Sequence, residues 1–212
     1  MLYHIKELDE ERIDRKYIPL RIKFFSSRKS GSQPMNIYMI GIPTTKYRGV
    51  LDKYSDLNEL VNGIDSILIA EATIITHNIN SESSSFIFTD VCEIMNYDEK
   101  VAYKELSDLY VYPEFRSFGF GKQFCEKVSK YISNGNVLFT NTGASMKEFK
   151  NDPGEDKCHK IADELALFFE KCGYVSINDY SQFDCHHSLI YLNDITALPV
   201  INFYKNFTNF SL

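Results

Sequence analysis

The feature that most constrains the fold of this chain is a change in the spacing of its apolar residues near the middle, from a strand pattern to a helix pattern. The run Lys104–Tyr112 (KELSDLYVY) is rich in β-prone residues, and Pro113 must end it because proline has no N–H for a central ladder. After Gly119 and Gly121, apolar residues recur every three or four positions up to Ile132, which is typical of an amphipathic helix. The sequence therefore predicts a strand, a tight turn and a helix in direct succession.

Periodicity and turn residues predict the other elements in the same way, and the resulting order indicates an α+β fold with a mixed sheet. Asp9–Tyr17 is predicted as a short helix and Ser26–Pro34 as a surface loop. Strands are predicted over 37–42, 67–76, 86–94, 137–140 and 189–192, and a second amphipathic helix over 161–172, closed by Gly173. The runs 67–76 and 86–94, joined by a polar loop at 78–85, are expected to form a meander with 104–112.

Composition limits the class of protein. The chain has 212 residues, of which 44% are hydrophobic and 25% charged, so we expect one globular domain over 1–212. Five cysteines without a CxxC spacing predict a reducing, cytoplasmic location and no structural metal site. No segment is apolar enough to suggest a membrane span. The net charge of −6 makes nucleic acid an unlikely partner and mildly favours a cationic substrate.

The glycine turn before the helix is the one place where the sequence implies a ligand. Gly119 and Gly121 remove side chains where the backbone N–H groups of a helix N-terminus are available, and such a terminus attracts anions. Arg116 precedes the turn and Lys122 follows it. A pyrophosphate fits this arrangement, whereas the alternative is a plain strand–turn–helix connection without a ligand.

Two segments in this order resemble motifs of the GNAT N-acetyltransferase superfamily. Phe168–Val175 (FFEKCGYV) is similar to its helix-to-strand segment, and the junction resembles its acetyl-CoA-binding signature through Leu109, Val111, Pro113, Arg116, Gly119 and Gly121. The resemblance covers about residues 66–192. It implies a GNAT-like splayed sheet, mixed but mostly antiparallel, flanked by helices.

The resemblance also implies how acetyl-CoA, the co-substrate, binds. The pyrophosphate is expected on the backbone amides of 116–121 and on Lys122, and the pantetheine beside the end of the strand. The N–H of Val111 is expected near the thioester carbonyl. The cofactor-binding residues so implied are Leu109, Tyr110, Val111, Arg116, Ser117, Phe118, Gly119, Phe120, Gly121 and Lys122.

For the chemistry, Glu105 is the candidate base and Ser107 shares its face of the strand, at even offsets from Val111. The alternative for Glu105 is a solvent-facing charge. The superfamily's usual general-acid tyrosine falls on Phe169, which has no proton to give, and its frequent asparagine falls on Ala162. Tyr174 is therefore the third catalytic candidate, with Tyr110 and Cys172 as nearby donors.

The resemblance thus predicts an acetyl-CoA-dependent N-acetyltransferase that acts on a primary amine by direct transfer in a ternary complex. The acceptor is left open among a small amine, an amino sugar and a protein or peptide amine, and a homodimer is left open as well. One alternative is a GNAT-like domain that binds acyl-CoA or a partner protein without turnover. Another is a nucleotide-binding regulator that uses the same turn.

Overall fold

The computed structural model describes residues 3–13, 20–29, 34–43, 67–78, 86–142, 155–177 and 186–209. These ranges hold eight strands: β1 Tyr3–Ile13, β2 Leu20–Lys29, β3 Met35–Pro43, β4 Ile67–His77, β5 Ala102–Val111, β6 Asn136–Asn141, β7 Tyr174–Ser176 and β8 Ser188–Tyr191. They also hold four α-helices: α1 Phe86–Met95, α2 Phe120–Ile132, α3 Glu155–Glu170 and α4 Ala197–Asn209. Among the residues described, no helix is long and apolar enough to cross a bilayer.

The sheet is mixed but mostly antiparallel, with the strand order β1-β2-β3-β4-β5-β6-β8-β7. The β5–β6 pairing is parallel, and the β1–β2, β2–β3, β3–β4, β6–β8 and β7–β8 pairings are antiparallel. Together with the helices, this arrangement confirms the predicted α+β class.

The chain divides into two compact units. The first comprises Met1–Ile75 and Asp108–Phe124, and the second comprises Thr76–Ser107 and Cys125–Leu212. Both β4 and β5 contribute residues to each unit. A single domain over 1–212 stays a prediction.

The first unit is built on the antiparallel strands β1 to β4. Phe24 of β2 pairs with Met39 of β3, and Met39 pairs with Ala70 of β4. All three side chains are buried, and the ring of Phe24 stacks on Phe124 of α2 with their centroids 6.3 Å apart. Apolar burial across neighbouring strands fixes this register, because a shift by one residue would turn the buried side chains to the other face.

The second unit is held by an apolar core between α1 and the strands. The parallel ladder runs from Ala102–Asn136 to Leu106–Thr140, and β8 pairs antiparallel with both β6 and β7. The fully buried core consists of Ile87, Phe88, Val91, Tyr103, Val137, Phe139, Ile177, Ile190 and Val200.

The predicted strand over 86–94 is wrong, because this segment forms helix α1. Ile87 and Phe88 are buried, Thr89 and Asp90 are exposed, and Val91 is buried again. This is the repeat of a helix and not the alternation of a strand. The high β-propensity of Phe, Ile and Val concealed that period, and the predicted three-stranded meander does not exist.

Two predictions near the N-terminus are also wrong. Residues 9–13 of the predicted helix belong to β1, where Asp9 pairs with Phe24 across a register shift that follows Glu7. Residues 26–29 of the predicted loop belong to β2, and 14–17 and 30–33 lie outside the described residues. Pairing with a neighbouring strand outweighs local preference in both cases. Helix α4 was not predicted.

The remaining elements confirm the sequence analysis. The spacing of apolar residues and the positions of glycine and proline correctly predicted seven elements. These are strands β3, β4, β5, β6 and β8 and helices α2 and α3. Gly173 closes α3 with a φ of +94°, and a Cβ there would lie 3.2 Å from the ring of Tyr191. A glycine is required on both counts.

The helical assignment of α1 makes a stability prediction. Replacing the buried Phe88 with alanine should lower the free energy of unfolding by about 3–5 kcal/mol, because it empties a packed site. The neighbouring Thr89→Ala change, on the exposed face, should stay within about 0.5 kcal/mol of the wild type. Denaturant unfolding of both variants measures this, and equal costs at the two positions would contradict the packing of α1.

Candidate functional site

The junction after β5 is built within the first unit. The N–H of Tyr112 donates to the carbonyl of Ile69 at 3.1 Å, and Pro113–Phe115 then form one turn of 3₁₀ helix. The N–H of Arg116 donates to the carbonyl of Pro113 at 3.2 Å, which closes this turn. The amide of Arg116 is therefore engaged within the chain, and the pyrophosphate contact through it stays a prediction.

The turn that follows has the backbone conformation that the glycine motif predicts. Ser117 has a φ of +62° and Gly119 a φ of +83°. The N–H of Gln123 donates to the carbonyl of Gly119 at 3.2 Å, so α2 starts directly from this glycine. A Cβ built on Gly119 would meet no atom within 4 Å. There is thus open space beside Gly119, at the start of α2, where the backbone conformation favours glycine.

The side chains around the turn divide into two groups. Arg116 donates from Nε to the carbonyl of Val111 at 2.9 Å, and its guanidinium carbon lies 5.3 Å from the ring centroid of Tyr110. Ser117, Phe118 and Lys122 are exposed, whereas the side chain of Phe120 is buried against Phe115, so Phe120 could serve a ligand only through its backbone. Leu109, Tyr110 and Val111 are half-buried.

These features fit an anionic ligand. The N-terminal end of a 13-residue helix carries partial positive charge, and Arg116 and Lys122 add full charges on either side of the turn. The bond between Arg116 and Val111 also fixes the guanidinium beside the end of β5. The backbone amides from Ser117 to Lys122, together with these two cations, could hold a pyrophosphate.

The second unit holds the candidate base in a different environment from the one expected. The carboxylate Oε2 of Glu105 lies 2.7 Å from Nε2 of His77, and the two side chains are 9% and 5% exposed. The alternative of a solvent-facing Glu105 is therefore wrong. Sequence reasoning missed His77, because nothing local indicates which residue of β4 meets Glu105.

The ladder between β5 and β6 ends next to Glu105. Thr140 Oγ1 donates to the carbonyl of Leu106 at 2.7 Å, at the last paired position of β5. Leu106 is buried and Ser107 is exposed. The side chain of Ser107 is thus accessible, and that of Glu105, two residues earlier, is enclosed.

Tyr174, the third catalytic candidate, lies in the interior of the second unit. Its hydroxyl is 2.7 Å from Ser129 Oγ, and its ring packs edge-on against Phe169 and Tyr191. Burial raises the pKa of the Tyr174 phenol well above its usual value. This geometry favours a structural role for Tyr174 over that of a proton donor to substrate.

The thiol of Cys172 also belongs to this interior. A hydrogen bond to Cys172 and burial raise the pKa of the Cys125 thiol well above its usual value, so it stays protonated at neutral pH. Buried neutral thiols are poor nucleophiles and poor proton carriers. Cys172, in the turn that follows α3, is a buried core residue, as the sequence predicted.

A cleft of about 730 Å³ lies between α1 and α4 in the second unit. Apolar side chains line most of it, and two carboxylates of α1, Asp90 and Glu93, stand at its edge. Burial and the charge of Glu93 raise the pKa of Asp90. The predicted site residues do not line this cleft, so its size alone does not make it the reaction site.

Comparisons with known proteins identify distant structural similarities. No protein-family model and no curated protein matches the chain. Among solved structures, a NatC complex bound to Gag peptide and CoA matches at 9% identity and a TM-score of 0.35, over 80% of this chain and 70% of that one. A putative GNAT-family acetyltransferase from Desulfovibrio desulfuricans matches at 11% identity and a TM-score of 0.34, over 82% and 69%.

A KacT variant matches at 10% identity and a TM-score of 0.38, over 90% of this chain and 95% of that one. The superfamily named from the sequence motifs is thus represented among the matches. With all these TM-scores below 0.5, the function has to be inferred from this chain's own residues.

The buried hydrogen bond of Tyr174 predicts an effect on stability, which distinguishes a structural role of this tyrosine from a catalytic one. Tyr174→Phe should lower the free energy of unfolding by about 1 kcal/mol, because Ser129 Oγ loses a buried partner. Tyr191→Phe is the matched control, since its hydroxyl has no hydrogen bond to the described residues, and it should cost less than about 0.5 kcal/mol. Chemical denaturation compares the two, and equal stabilities would show that the Tyr174–Ser129 bond contributes nothing.

Proposed function

We propose that the chain is an acetyl-CoA-dependent N-acetyltransferase that acts on a primary amine by direct transfer in a ternary complex. The observation that carries the proposal is the junction after β5. A strand end, one 3₁₀ turn, positive φ values at Ser117 and Gly119 and the start of α2 follow one another there. The same residues carry the resemblance to the acetyl-CoA-binding signature.

When bound, acetyl-CoA supplies an acetyl group activated as a thioester. In this proposal the amides from Ser117 to Gly121, with Arg116 and Lys122, hold the pyrophosphate. Leu109 and Tyr110 border the pantetheine, and the N–H of Val111 faces the thioester carbonyl. The bond from Arg116 Nε to the carbonyl of Val111 keeps the strand end and the anion turn in fixed relation.

The acceptor amine must lose a proton before it can attack. Glu105 is the assigned base, and its bond to His77 keeps a hydrogen-bond donor on the buried carboxylate. Ser107 is exposed and can contact the acceptor directly. Because Phe169 carries no hydroxyl and Tyr174 is enclosed, the departing thiolate takes its proton from water or from the amine itself.

The acceptor is proposed as a cationic amine: a small amine, an amino sugar or a peptide amine. The net charge of −6 is consistent with a cation and does not favour nucleic acid. Free thiols at Cys92, Cys125, Cys158 and Cys172 favour a reducing compartment, which we propose is the cytoplasm.

A second candidate is a domain that binds acyl-CoA without turnover. The enclosure of the Glu105 side chain and the phenylalanine at position 169 favour it. This candidate predicts binding of acetyl-CoA with no acetylation of any amine in a broad panel, and no effect of Glu105→Gln on the behaviour of the protein towards acetyl-CoA.

The cofactor assignment is tested by thermal and chemical unfolding with acetyl-CoA. At 100 times its dissociation constant, acetyl-CoA should stabilise the fold by about 2.7 kcal/mol. Gly119→Val should abolish this gain, because a branched side chain would fill the space that the anion needs. Gly135→Val is the matched control: Gly135 also has a positive φ, +72°, and no atom within 4 Å of a Cβ.

Both glycine variants should lose intrinsic stability to a similar degree, and only Gly119→Val should lose the response to acetyl-CoA. If Gly119→Val kept the full response, the pyrophosphate would have to bind elsewhere. If ATP stabilised the wild type and acetyl-CoA did not, the chain would be a nucleotide-binding protein.

The catalytic assignment is tested by acetyl-CoA consumption against the amine panel. Glu105→Gln should lower kcat by roughly 10²- to 10⁴-fold, the usual contribution of a general base. Asp108→Asn, on the same strand at an odd offset from Glu105, should leave kcat within about a factor of three, because strand alternation turns it to the other face. Equal activity of the wild type and Glu105→Gln would rule out the base role.

A further inference from the structure

His77 contacts Glu105 in the interior of the second unit. It is the last residue of β4, and its Nε2 lies 2.7 Å from Oε2 of Glu105, which stands in the paired part of β5. Neither side chain is more than a tenth exposed. The pair is therefore a short hydrogen bond shielded from water.

Two aromatic rings fix the imidazole in place. The ring of His77 stacks on Phe88 of α1 with centroids 5.1 Å apart, and it lies tilted against Phe139 of β6 with centroids 5.4 Å apart. Phe139 is also the register partner of Glu105 in the parallel ladder. Among the described residues of α1, β5 and β6, His77 contacts Phe88, Phe139 and Glu105. Glu105 has the ionisable side chain of these three.

The contact with His77 offsets the free-energy cost of burying the Glu105 carboxylate in an apolar core. An ionised carboxylate only accepts hydrogen bonds, and leaving it buried without a donor is costly. We therefore assign the N–H of His77 to Nε2, so that it donates to Oε2. The other carboxylate oxygen, Oε1, is left to accept a proton.

We propose that His77 is a positioning residue that holds the Glu105 carboxylate oriented for proton abstraction from the acceptor amine. This inference rests on the proposed N-acetyltransferase function. The ammonium nitrogen gives one proton to the His77–Glu105 pair, whose charge changes from −1 to 0. The pair then passes that proton to water, which accounts for the net proton released per acetyl group transferred.

The test compares His77→Phe, His77→Gln, Glu105→Gln and the double variant His77→Phe/Glu105→Gln. His77→Phe keeps an aromatic ring between Phe88 and Phe139 but removes the donor. It should lower kcat roughly tenfold to a hundredfold, the size of effect known for partners that orient a reactive group. The KM for acetyl-CoA should stay unchanged.

The split between kcat and KM, together with rescue by a conservative variant, gives a readout that a merely structural role would not move. Folded His77→Phe should lose kcat while its KM for acetyl-CoA stays at the wild-type value. His77→Gln offers an amide N–H to the carboxylate and should restore part of the rate. The double variant should be no slower than Glu105→Gln alone, because both changes remove the same function.

His187 provides a matched control within the same unit. Its Nε2 lies 2.9 Å from Oδ1 of Asp163, and its side chain is 6% exposed. His187→Phe thus also removes a histidine–carboxylate contact from a buried histidine. It should leave kcat close to that of the wild type, because it does not touch the Glu105 carboxylate.

The outcomes separate the two proposals. If the wild type acetylates an amine and Glu105→Gln is impaired, an unchanged kcat in folded His77→Phe overturns the role of His77 and leaves the function standing. If the wild type acetylates nothing, the proposed function has failed. The His77–Glu105 bond is then tested by ¹⁵N NMR titration of the His77 ring: a titration altered by Glu105→Gln supports the pair, and an identical titration refutes it.

Discussion

The structure depends on a change of environment along β5 between Leu106 and Ser107. Up to Leu106 the strand is paired with β6 and contributes to a buried core. Thr140 Oγ1 satisfies the Leu106 carbonyl where this ladder ends, as a buried polar group requires. The strand then continues to Val111 without a described partner in β6. The same strand therefore carries the enclosed Glu105 within the ladder and the exposed Ser107 just beyond its end.

The consequences of this change are visible on both sides of it. Tyr103 and Glu105 are enclosed by the aromatic core under α1, and Ser107 is exposed. Farther on, Pro113 prevents the ladder from continuing, and the chain needs positive φ values to enter α2 directly. A backbone in that conformation favours glycine at position 119, and the space that a side chain would fill there is open.

Local signals explain which parts of the fold could be predicted. Pro113 ends β5 and Gly173 follows the end of α3, and the apolar residues of β5, α2 and α3 have clear strand or helix spacing. These three elements could therefore be predicted from the sequence. Helix α1 could not be predicted with the same rules. Its apolar residues are strong β-formers, and their β-propensity was given more weight than their helical spacing. Strands β1 and β2 depend on pairing partners far along the chain, which no local pattern encodes.

The same distinction applies to the candidate site. The anion turn is a local motif, and its backbone follows from its glycines. The environment of Glu105 is not local: it depends on His77 at the end of β4 and on helix α1, whose Phe88 stacks on His77. Strand alternation placed Glu105 and Ser107 on one face, but only tertiary packing decides that one is enclosed and the other exposed. His77 could not be predicted for this reason.

In the proposed acetyl transfer, Phe169 stands in place of the superfamily's general-acid tyrosine. This replacement affects the easier of two proton transfers. A lysine-like amine with a pKa near 10.4 must give up its proton at pH 7, which costs about 4.6 kcal/mol, whereas protonating a thiolate of pKa near 8.5 is favourable by about 2 kcal/mol. Water can therefore complete the second step without a dedicated acid. Removing the amine proton is the harder task, and it is the one that the proposed mechanism gives to Glu105, held by His77. In that proposal the phenylalanine at position 169 leaves only the easier transfer without a dedicated residue.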